Sequence, residues 1–360
     1  MRSTTSIVAP GSGAEPVMPA SVTACLRAEL EQLFAQRGWP VFHARQVWQW
    51  LYRRHAGTYP AMSELPRGLQ ATLTHALPLT GSTVRALHQS ADGSEKRVLT
   101  LADGETIESV WIPMGAHATV CLSTQVGCPI GCTFCASGAG GFVRNLSAAE
   151  IVEQVWHAGA AHPRNEINNL VFMGMGEPLL NWAQVARAIQ ILNDDFGLCI
   201  GARRMTVSTV GVLRGIAALA QDAPQVNLAV SLHAATDALR RTLIPHCPTS
   251  LHELMDALAH YYAATRRRVT FEYVLLRGIN DSWRDAQRLA ALIKRVPGKV
   301  NVIPYNTIVG GAFAAPSSEN VRSFVEYLCG EHVTAIARRR KGDDIAAACG
   351  QLRRVLADGP

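Results

Sequence analysis

Residues 121–145 read CLSTQVGCPIGCTFCASGAGGFVRN, and four of the chain's nine cysteines fall in the first fifteen of these positions. Within them Cys128, Cys132 and Cys135 form C-x3-C-x2-C, with Phe134 just before the last thiol. Three thiolates on one short loop can hold three irons of a cubane 4Fe-4S cluster, whereas an ordinary electron-carrying cluster takes four cysteines. The fourth iron is then free to bind something else. Three plainer uses of the thiols compete with this one. Structural zinc takes paired C-x2-C or Cys/His sets, and a second pair is missing. Disulfides need an oxidising compartment. Buried structural cysteines rarely crowd a Gly-rich loop.

A chain of 360 residues that is 48% hydrophobic can bury a large core, and its length implies two domains or one barrel with an appendage. No apolar run reaches the roughly 18 residues of a membrane span, so no membrane partner is expected. The opening MRSTTSIVAPGSGAEPVMPAS lacks the charged and apolar regions of a secretory signal. Its Ser, Pro, Gly and Ala content reads as a disordered tail over residues 1–20. An odd count of cysteines without an export signal implies a cytoplasmic protein with reduced thiols. The net charge of +6 is compatible with RNA but does not establish it.

From Ser21 to Leu79 the pattern is helical and basic, giving an accessory domain over residues 21–95. Leu30, Leu33 and Phe34 recur at helical spacing, and PVFHARQVWQWLYRRHAG places Phe42, Val47, Trp48, Leu51 and Tyr52 on one face. Arg45, Arg53, Arg54 and His55 occupy the other. They form either a solvated face or an RNA clamp whose arginines meet phosphates. A third helix follows in MSELPRGLQATL, with Ser63 as its cap. A strand pair comes next, around Lys96 to Leu101 and Thr106 to Pro113, joined by the turn Asp103-Gly104.

After Cys121 short apolar strands alternate with amphipathic helices, the pattern of parallel strands joined by helical crossovers. Strands are expected at Ala118 to Ser123, Asn169 to Gly174, Arg204 to Thr209, Val226 to His233, Val269 to Leu276 and Val300 to Tyr305. Helices are expected to begin near Ser147, Asn181, Val212, Ser250, Ser282 and Ser318. The fold class is therefore α/β, a partial (β/α)6 barrel over residues 96–345. One more strand, His332 to Arg338, leads to a tail over residues 346–360.

Ligands in such architectures sit at the C-terminal strand ends. The first strand runs into the cysteine loop. After the second comes Gly174-Met175-Gly176-Glu177-Pro178, where glycines admit a ligand and a carboxylate can accept from an ammonium group. The third ends in Ser208-Thr209, the fourth in Ser231-Leu232-His233, the sixth in Asn306. Singly each has a structural explanation: a hydroxyl caps a helix, a strand-end histidine is a satisfied core residue. Their recurrence at one rim favours a shared ligand.

Cys121-x6-Cys128-x3-Cys132-x2-Cys135, GGFVRNL, LVFMGMGEPLLN, MTVSTVG, LAVSLHA, FEYVLLRGINDS, VNVIPYN and RRRKGDDIAAACGQL together resemble the RlmN/Cfr family. These are radical S-adenosylmethionine (radical SAM) methyltransferases acting on an adenine ring carbon in RNA, and the likeness runs from Gly38 to Leu352. It implies a 4Fe-4S cluster on Cys128, Cys132 and Cys135. It implies two molecules of SAM per turnover, one bound by Gly176, Glu177, Ser208, Ser231, Leu232, His233 and Asn306. By the same resemblance Cys349 takes a methyl group from one SAM, and a radical derived from the second removes a hydrogen from it. The resulting carbon radical adds to the adenine, Glu108 removes the ring proton, and Cys121 releases the protein–RNA crosslink by forming a transient disulfide with Cys349. The implied substrates are 23S rRNA and tRNA, methylated at carbon 2, by a monomer served by a reducing donor such as flavodoxin. Carbon 8 is the alternative within the family, and an Fe-S RNA-binding or ribosome-assembly protein the alternative outside it. Cys25, Cys199, Cys247 and Cys329 read as core or incidental thiols. Two loops depart from the family pattern, LIPHCPTS around Cys247 and TIVGGAFAAPS after Asn306, and both are expected to face RNA. Arg338, Arg339, Arg340 and Lys341 are expected to contact phosphate.

Overall fold

The structure, a computed structural model, describes residues 18–163, 166–247, 249–308 and 310–353. The tail expected over residues 1–20 lies almost wholly outside them, as do residues 354–360.

Three helices open the chain: α1 (Arg27–Gln36), α2 (Val41–Arg53) and α3 (Arg67–Ala76). Leu30, Leu33 and Phe34 of α1 pack with Val47, Trp48 and Leu51 of α2 in one buried core, each contributing roughly 1.5–3 kcal/mol. Phe42 does not join them and is 57% exposed. It precedes Trp48 by six positions, which at about 100° per residue turns it to the far side of the helix. The third helix starts after Pro66 rather than at Ser63, because the fixed φ of proline suits a helix entry.

The arginines on the polar face of this unit are engaged internally. Arg45 pairs with Glu31 at 3.0 Å, and Arg54 pairs with Glu64 at 3.1 Å while lying over the Trp50 ring. Arg53 donates to the carbonyls of Asp195 and Phe196. The unit is bolted to the barrel by Glu153, whose carboxylate accepts from Thr23 Oγ1 (2.6 Å), from the backbone of Gly81 and Ser82 (2.8 Å each), and from Ser82 Oγ.

Next come the antiparallel strands β1 (Thr83–Gln89), β2 (Glu95–Thr100), β3 (Thr106–Met114) and β4 (His117–Cys121). Strand β1 has no signature in the sequence, because both of its faces are largely exposed. A small hairpin, β5 (Gln125–Gly127) and β6 (Phe142–Asn145), flanks the cysteine loop and its helical turn α4 (Ala136–Ala139). The alternating part then runs α5 (Ala148–Ala161), β7 (Glu166–Phe172), α6 (Trp182–Asn193), β8 (Met205–Thr209), α7 (Leu213–Asp222) and β9 (Asn227–Ser231). It continues α8 (Asp237–Leu243), α9 (Leu251–Thr265), β10 (Val269–Leu275), α10 (Trp283–Ile293), β11 (Gly298–Pro304), α11 (Ser318–Gly330) and β12 (Ala335–Ala337). Helices α5, α9 and α10 begin with capping boxes, Ser147/Glu150, Ser250/Glu253 and Ser282/Asp285, each satisfying N–H groups the first turn leaves free.

The ten main strands form one sheet in the order β1-β2-β3-β4-β7-β8-β9-β10-β11-β12. From β4 onward every pairing is parallel, so the C-terminal ends of seven strands lie along one rim. The segment after β12 crosses from that end of the sheet to the opposite one. Gly342 donates to Asp92 at 3.0 Å, Asp344 accepts from Ser90 and Ala91, and Lys96 donates to the carbonyl of Ala346 at 3.3 Å. Two ends of a ten-stranded sheet can be bridged so briefly only because the sheet curls, as strand twist requires, into an incomplete barrel.

Candidate active site

The cysteine loop is fixed by backbone contacts that only glycine permits. Gly127 has φ +77°, and a Cβ there would sit 1.8 Å from the carbonyl oxygen of Gly141. The Cys128 amide donates to that same carbonyl at 3.0 Å, and Cys135 closes a turn on Cys132 at 3.1 Å. All three thiols line one cavity of about 150 Å³. Burial raises their pKa values, that of Cys128 to about 11. Buried thiols of this kind become thiolates when bound to a metal centre. Among the described residues no three His, Cys, Asp or Glu side chains converge as for a single ion. A cubane holds each thiolate on a separate iron and asks only that the three face one cavity, which they do.

The other walls of that cavity come from the strand ends the sequence singles out. Gly176, at φ +102°, brings its backbone against Gln125, where a Cβ would lie 2.6 Å from that side chain. Gln125, which sequence reasoning passed over, accepts from the Glu177 amide at 2.8 Å and donates to Asn145 at 2.8 Å. The Glu177 carboxylate is 3% exposed and accepts from the amides of Val210 (2.9 Å) and Leu179 (3.1 Å). Burial outweighs those hydrogen bonds and pushes it up to about 7, so an ammonium group entering the cavity is the partner that would ionise it. Ser208 and Ser231 both line the cavity, with hydroxyls 3.4 Å apart.

Leu232, expected among the cofactor-binding residues, does not line this cavity, and both of its backbone groups are engaged within the protein. Its side chain is buried, its amide donates to Glu272 at 3.0 Å, and its carbonyl accepts from Arg240 at 3.3 Å. His233 adopts φ +58° and turns its ring edge-on to Phe134, 4.8 Å away. Its Nδ1 accepts from the Val274 amide at 3.0 Å. Burial lowers its pKa to about 3, so the ring is neutral and carries its proton on Nε2. Asn306 donates to the Cys349 carbonyl at 3.1 Å, leaving its buried Oδ1 without a partner, an acceptor available to a ligand.

Cys349 is carried by the returning tail. Gly350 O accepts from Ala136 at 2.7 Å, and Leu352 O accepts from Ser137 Oγ at 2.6 Å, which seats the tail on the turn following Cys135. The Gln351 side chain bonds Thr307 O, Asp343 and the Ala348 amide. Cys349 and Cys121 are both free thiols, so the expected disulfide is not formed here. Burial pushes Cys121 up to about 12. Arg338, whose amide donates to Val302 O at 2.8 Å and whose guanidinium lies 3.6 Å from Glu272, is held firmly protonated by the field of Cys349, then of Glu272 and Cys121. Arg338, expected to contact phosphate, lines both this cavity and the outer one; Glu272 was not singled out, and a lone carboxylate inside the apolar strand FEYVLL was the available signal. Glu108 lines neither cavity. One oxygen lies 3.1 Å from Lys96 Nζ and the other accepts from the Arg353 amide at 2.9 Å.

A second cavity, of about 560 Å³, lies beyond the first. The two share, among others, Cys135, Ser137, Asn306, Arg338, Cys349 and Gly350, so Cys349 stands in the wall between them. Cys121 faces the outer cavity, together with Arg203, Arg204, Arg339, Arg340 and Lys341. Arg203 and Arg204 precede β8 and belong to the N-terminal rim, which the rule of C-terminal strand ends passes over. In the divergent loops Cys247, Ile308 and Phe313 turn inward, while Pro245, His246, Thr307, Gly310, Ala312 and Ala314 stay exposed. Cys247 packs against Arg240, the clamp on the carbonyls of Val210, Leu232 and Thr249. Ile308 and Phe313 pack on the apolar cluster around the cysteine loop.

The sequence model of the Radical SAM superfamily matches residues 122–290, and that of the ribosomal RNA large subunit methyltransferase N-terminal domain matches residues 23–77. A relative from Nitratidesulfovibrio vulgaris (strain Miyazaki F), named dual-specificity RNA methyltransferase RlmN, is 46% identical over 88% of this chain and 89% of its own. Its namesake from Halorhodospira halophila is 43% identical over 92% and 93%. The crystal structure of a radical SAM methyltransferase from Sphaerobacter thermophilus superposes with a TM-score of 0.89 at 43% identity, covering 93% of this chain and 99% of the other. The fold, the three-cysteine cavity and these relatives agree: the chain belongs to the RlmN family of radical SAM RNA methyltransferases, enzymes that work with a 4Fe-4S cluster and S-adenosylmethionine.

Proposed function

We propose that the chain methylates carbon 2 of an adenine in 23S rRNA, and of an adenine beside the anticodon in tRNA, through a methylated Cys349. The observation that carries this reading is the place of Cys349 in the wall shared by the cysteine-lined inner cavity and the basic outer one. Cys128, Cys132 and Cys135 would hold the cluster. Glu177 and the Gly176 backbone would take the amino group of SAM, and Ser208, Ser231, His233 Nε2–H and the free Asn306 Oδ1 the rest of it. Together the two cofactors supply one-electron chemistry strong enough to remove a hydrogen atom from a methyl group. The chain's own residues do the remainder. Cys349 accepts the methyl group and presents it to a base in the outer cavity, with the Arg338 guanidinium lining both cavities beside it. Glu108 takes the ring proton, which requires the Arg353 amide to let go of its carboxylate. Cys121 then attacks the Cys349 sulfur. The S–S bond forms, the S–CH2 bond breaks, and its electron pair stays with the carbon, which gains a proton. The adenine must be unstacked to reach this wall.

No helix among the described residues is long and apolar enough to cross a membrane, and we take the enzyme to act as a cytoplasmic monomer reduced by a flavodoxin-type donor. Oxygen-free reconstituted protein, supplied with SAM, a reductant and a tRNA transcript or rRNA fragment, should yield 2-methyladenosine by mass spectrometry. Cys349→Ala should yield none, and Cys121→Ala should retain covalently bound RNA. A product of 8-methyladenosine, or full turnover by Cys349→Ala, overturns the proposal.

A further inference from the structure

The outer cavity does not end at its own mouth. Thr206 and Asn227 on its lip also line a groove of about 510 Å³ whose other walls include Arg266, Arg267, Arg268 and Lys299. The topology explains the cluster. Thr206 and Asn227 pair across β8 and β9, the three arginines immediately precede β10, and Thr270 pairs with Lys299 across β10 and β11. Four neighbouring parallel strands therefore present their N-terminal ends side by side, over about 14 Å at ~4.8 Å per strand spacing.

Among the described residues no carboxylate lines this groove, whereas of the cations lining the outer cavity Arg338, Arg340 and Lys341 have Glu272, Asp343 and Asp92 at 3.6, 3.6 and 3.8 Å. Several arginines elsewhere on the surface also have acidic partners: Arg45 with Glu31, Arg144 with Glu150 and Asp103, Arg187 with Glu29, Arg295 with Asp256. The contrast is one of placement. Arg266 also occupies the left-handed position that ends α9, at φ +57°, where glycine or asparagine is favoured. Arg267 leans on Asn227 and keeps a buried Nε without a partner, while Arg268 is braced on Gly298 O at 2.9 Å. Lys299 is exposed.

We infer that this N-terminal rim, from Arg203 and Arg204 through Arg266, Arg267, Arg268 and Lys299, is a second RNA site holding the phosphodiester backbone that leads to or from the base in the outer cavity. The inference rests on the proposal that RNA places an adenine at Cys349, and extends the footprint beyond that base. Guanidinium and ammonium groups facing phosphate set register without reading sequence, which suits an enzyme that accepts more than one RNA.

The test compares cluster-loaded protein with the double variant Arg266→Gln/Lys299→Gln, both positions being exposed, and with the charge-keeping Arg266→Lys/Lys299→Arg. Binding of a labelled uridine 20-mer and of a tRNA transcript is followed by anisotropy across a potassium chloride series. Removing two cations should flatten the slope of log Kd against log salt by about 1.5 for both RNAs alike. The charge-keeping variant should match the parent. An unchanged slope and Kd overturns the inference, as does a loss confined to one RNA, or a loss of binding to anionic lipid vesicles with RNA binding intact. In the same samples Cys349 should gain one methyl from SAM without RNA, by intact mass, in all three proteins. Failure there refutes the methylation reading, while the salt slope still judges the groove.

Discussion

Replacing Gln351 by Ala tests whether the tail positions Cys349 through hydrogen bonds or through packing. Gln351 is 6% exposed. Its Nε2 donates to Thr307 O and Asp343 Oδ1, each at 2.9 Å, and its Oε1 accepts from the Ala348 amide at 3.0 Å. Two of these bonds are neutral, worth about 1 kcal/mol each, and the one to a carboxylate about 1.5. Their loss should weaken docking of residues 346–353 by about 3.5 kcal/mol, roughly 400-fold in the closed-to-open ratio. Amide exchange in that segment, measured by mass spectrometry, should accelerate by up to that factor while global stability changes little, because local opening sets its rate. Gln351→Met keeps the volume and loses the hydrogen bonds, so it should exchange as fast as the Ala variant. Methylation of RNA should fall in both while SAM binding in the inner cavity persists. Unchanged protection in both variants would refute the latch, and protection restored by Met alone would assign it to packing.

Glu177 supplies a pH prediction. Its pKa is raised from 4.5 to about 7 by burial, so its contribution to stability is fully present below pH 4.5 and is lost as pH rises through 7. The apo protein should therefore lose about 3 kcal/mol relative to Glu177→Gln between those values; urea midpoints of the two at pH 5 and pH 7 check this, and a constant difference counts against it. Glu153→Gln leaves donors from Thr23, Gly81 and Ser82 facing an amide nitrogen, and should cost about 2–4 kcal/mol and expose the helical unit to limited proteolysis; unaltered proteolysis would argue that the helices dock without it. Arg240→Met strips donors from the buried carbonyls of Val210, Leu232 and Thr249. It should cost about 3–5 kcal/mol in chemical denaturation and disorder the strand ends that line the inner cavity. A loss below about 1 kcal/mol would mean that water replaces the guanidinium.

The parallel strands and their helices were legible because each carries its own periodicity and several helices carry a cap, as Ser147, Ser250 and Ser282 show. The inner cavity was legible because its residues stand at or just beyond the C-terminal strand ends, as Gly176, Ser208, Ser231 and Asn306 do. What the sequence hid was partnership. Arg53 looks like a free cation until Asp195 and Phe196, more than 140 positions away, offer it their carbonyls. Cys247 looks like a loop residue until it packs on Arg240. The basic groove escaped notice for the opposite reason: Arg203, Arg204, Arg266, Arg267, Arg268 and Lys299 are scattered in sequence, and only the parallel register of β8 to β11 sets them in a row.

That register also links the two halves of the site. Parallel strands separate their ends into two rims, so a barrel can gather thiols, hydroxyls and a carboxylate at one rim and cations at the other. Chemistry on RNA then needs a residue that meets both. A chain that ended at β12 would leave the curled sheet open between its two edges. Here the returning tail bridges that gap, held by Asp92, Ser90, Lys96 and Glu108 on one side and Asn306 and Thr307 on the other. Closing the sheet and placing Cys349 are thus one structural act, and the thiol faces both cavities because the segment that carries it is the wall.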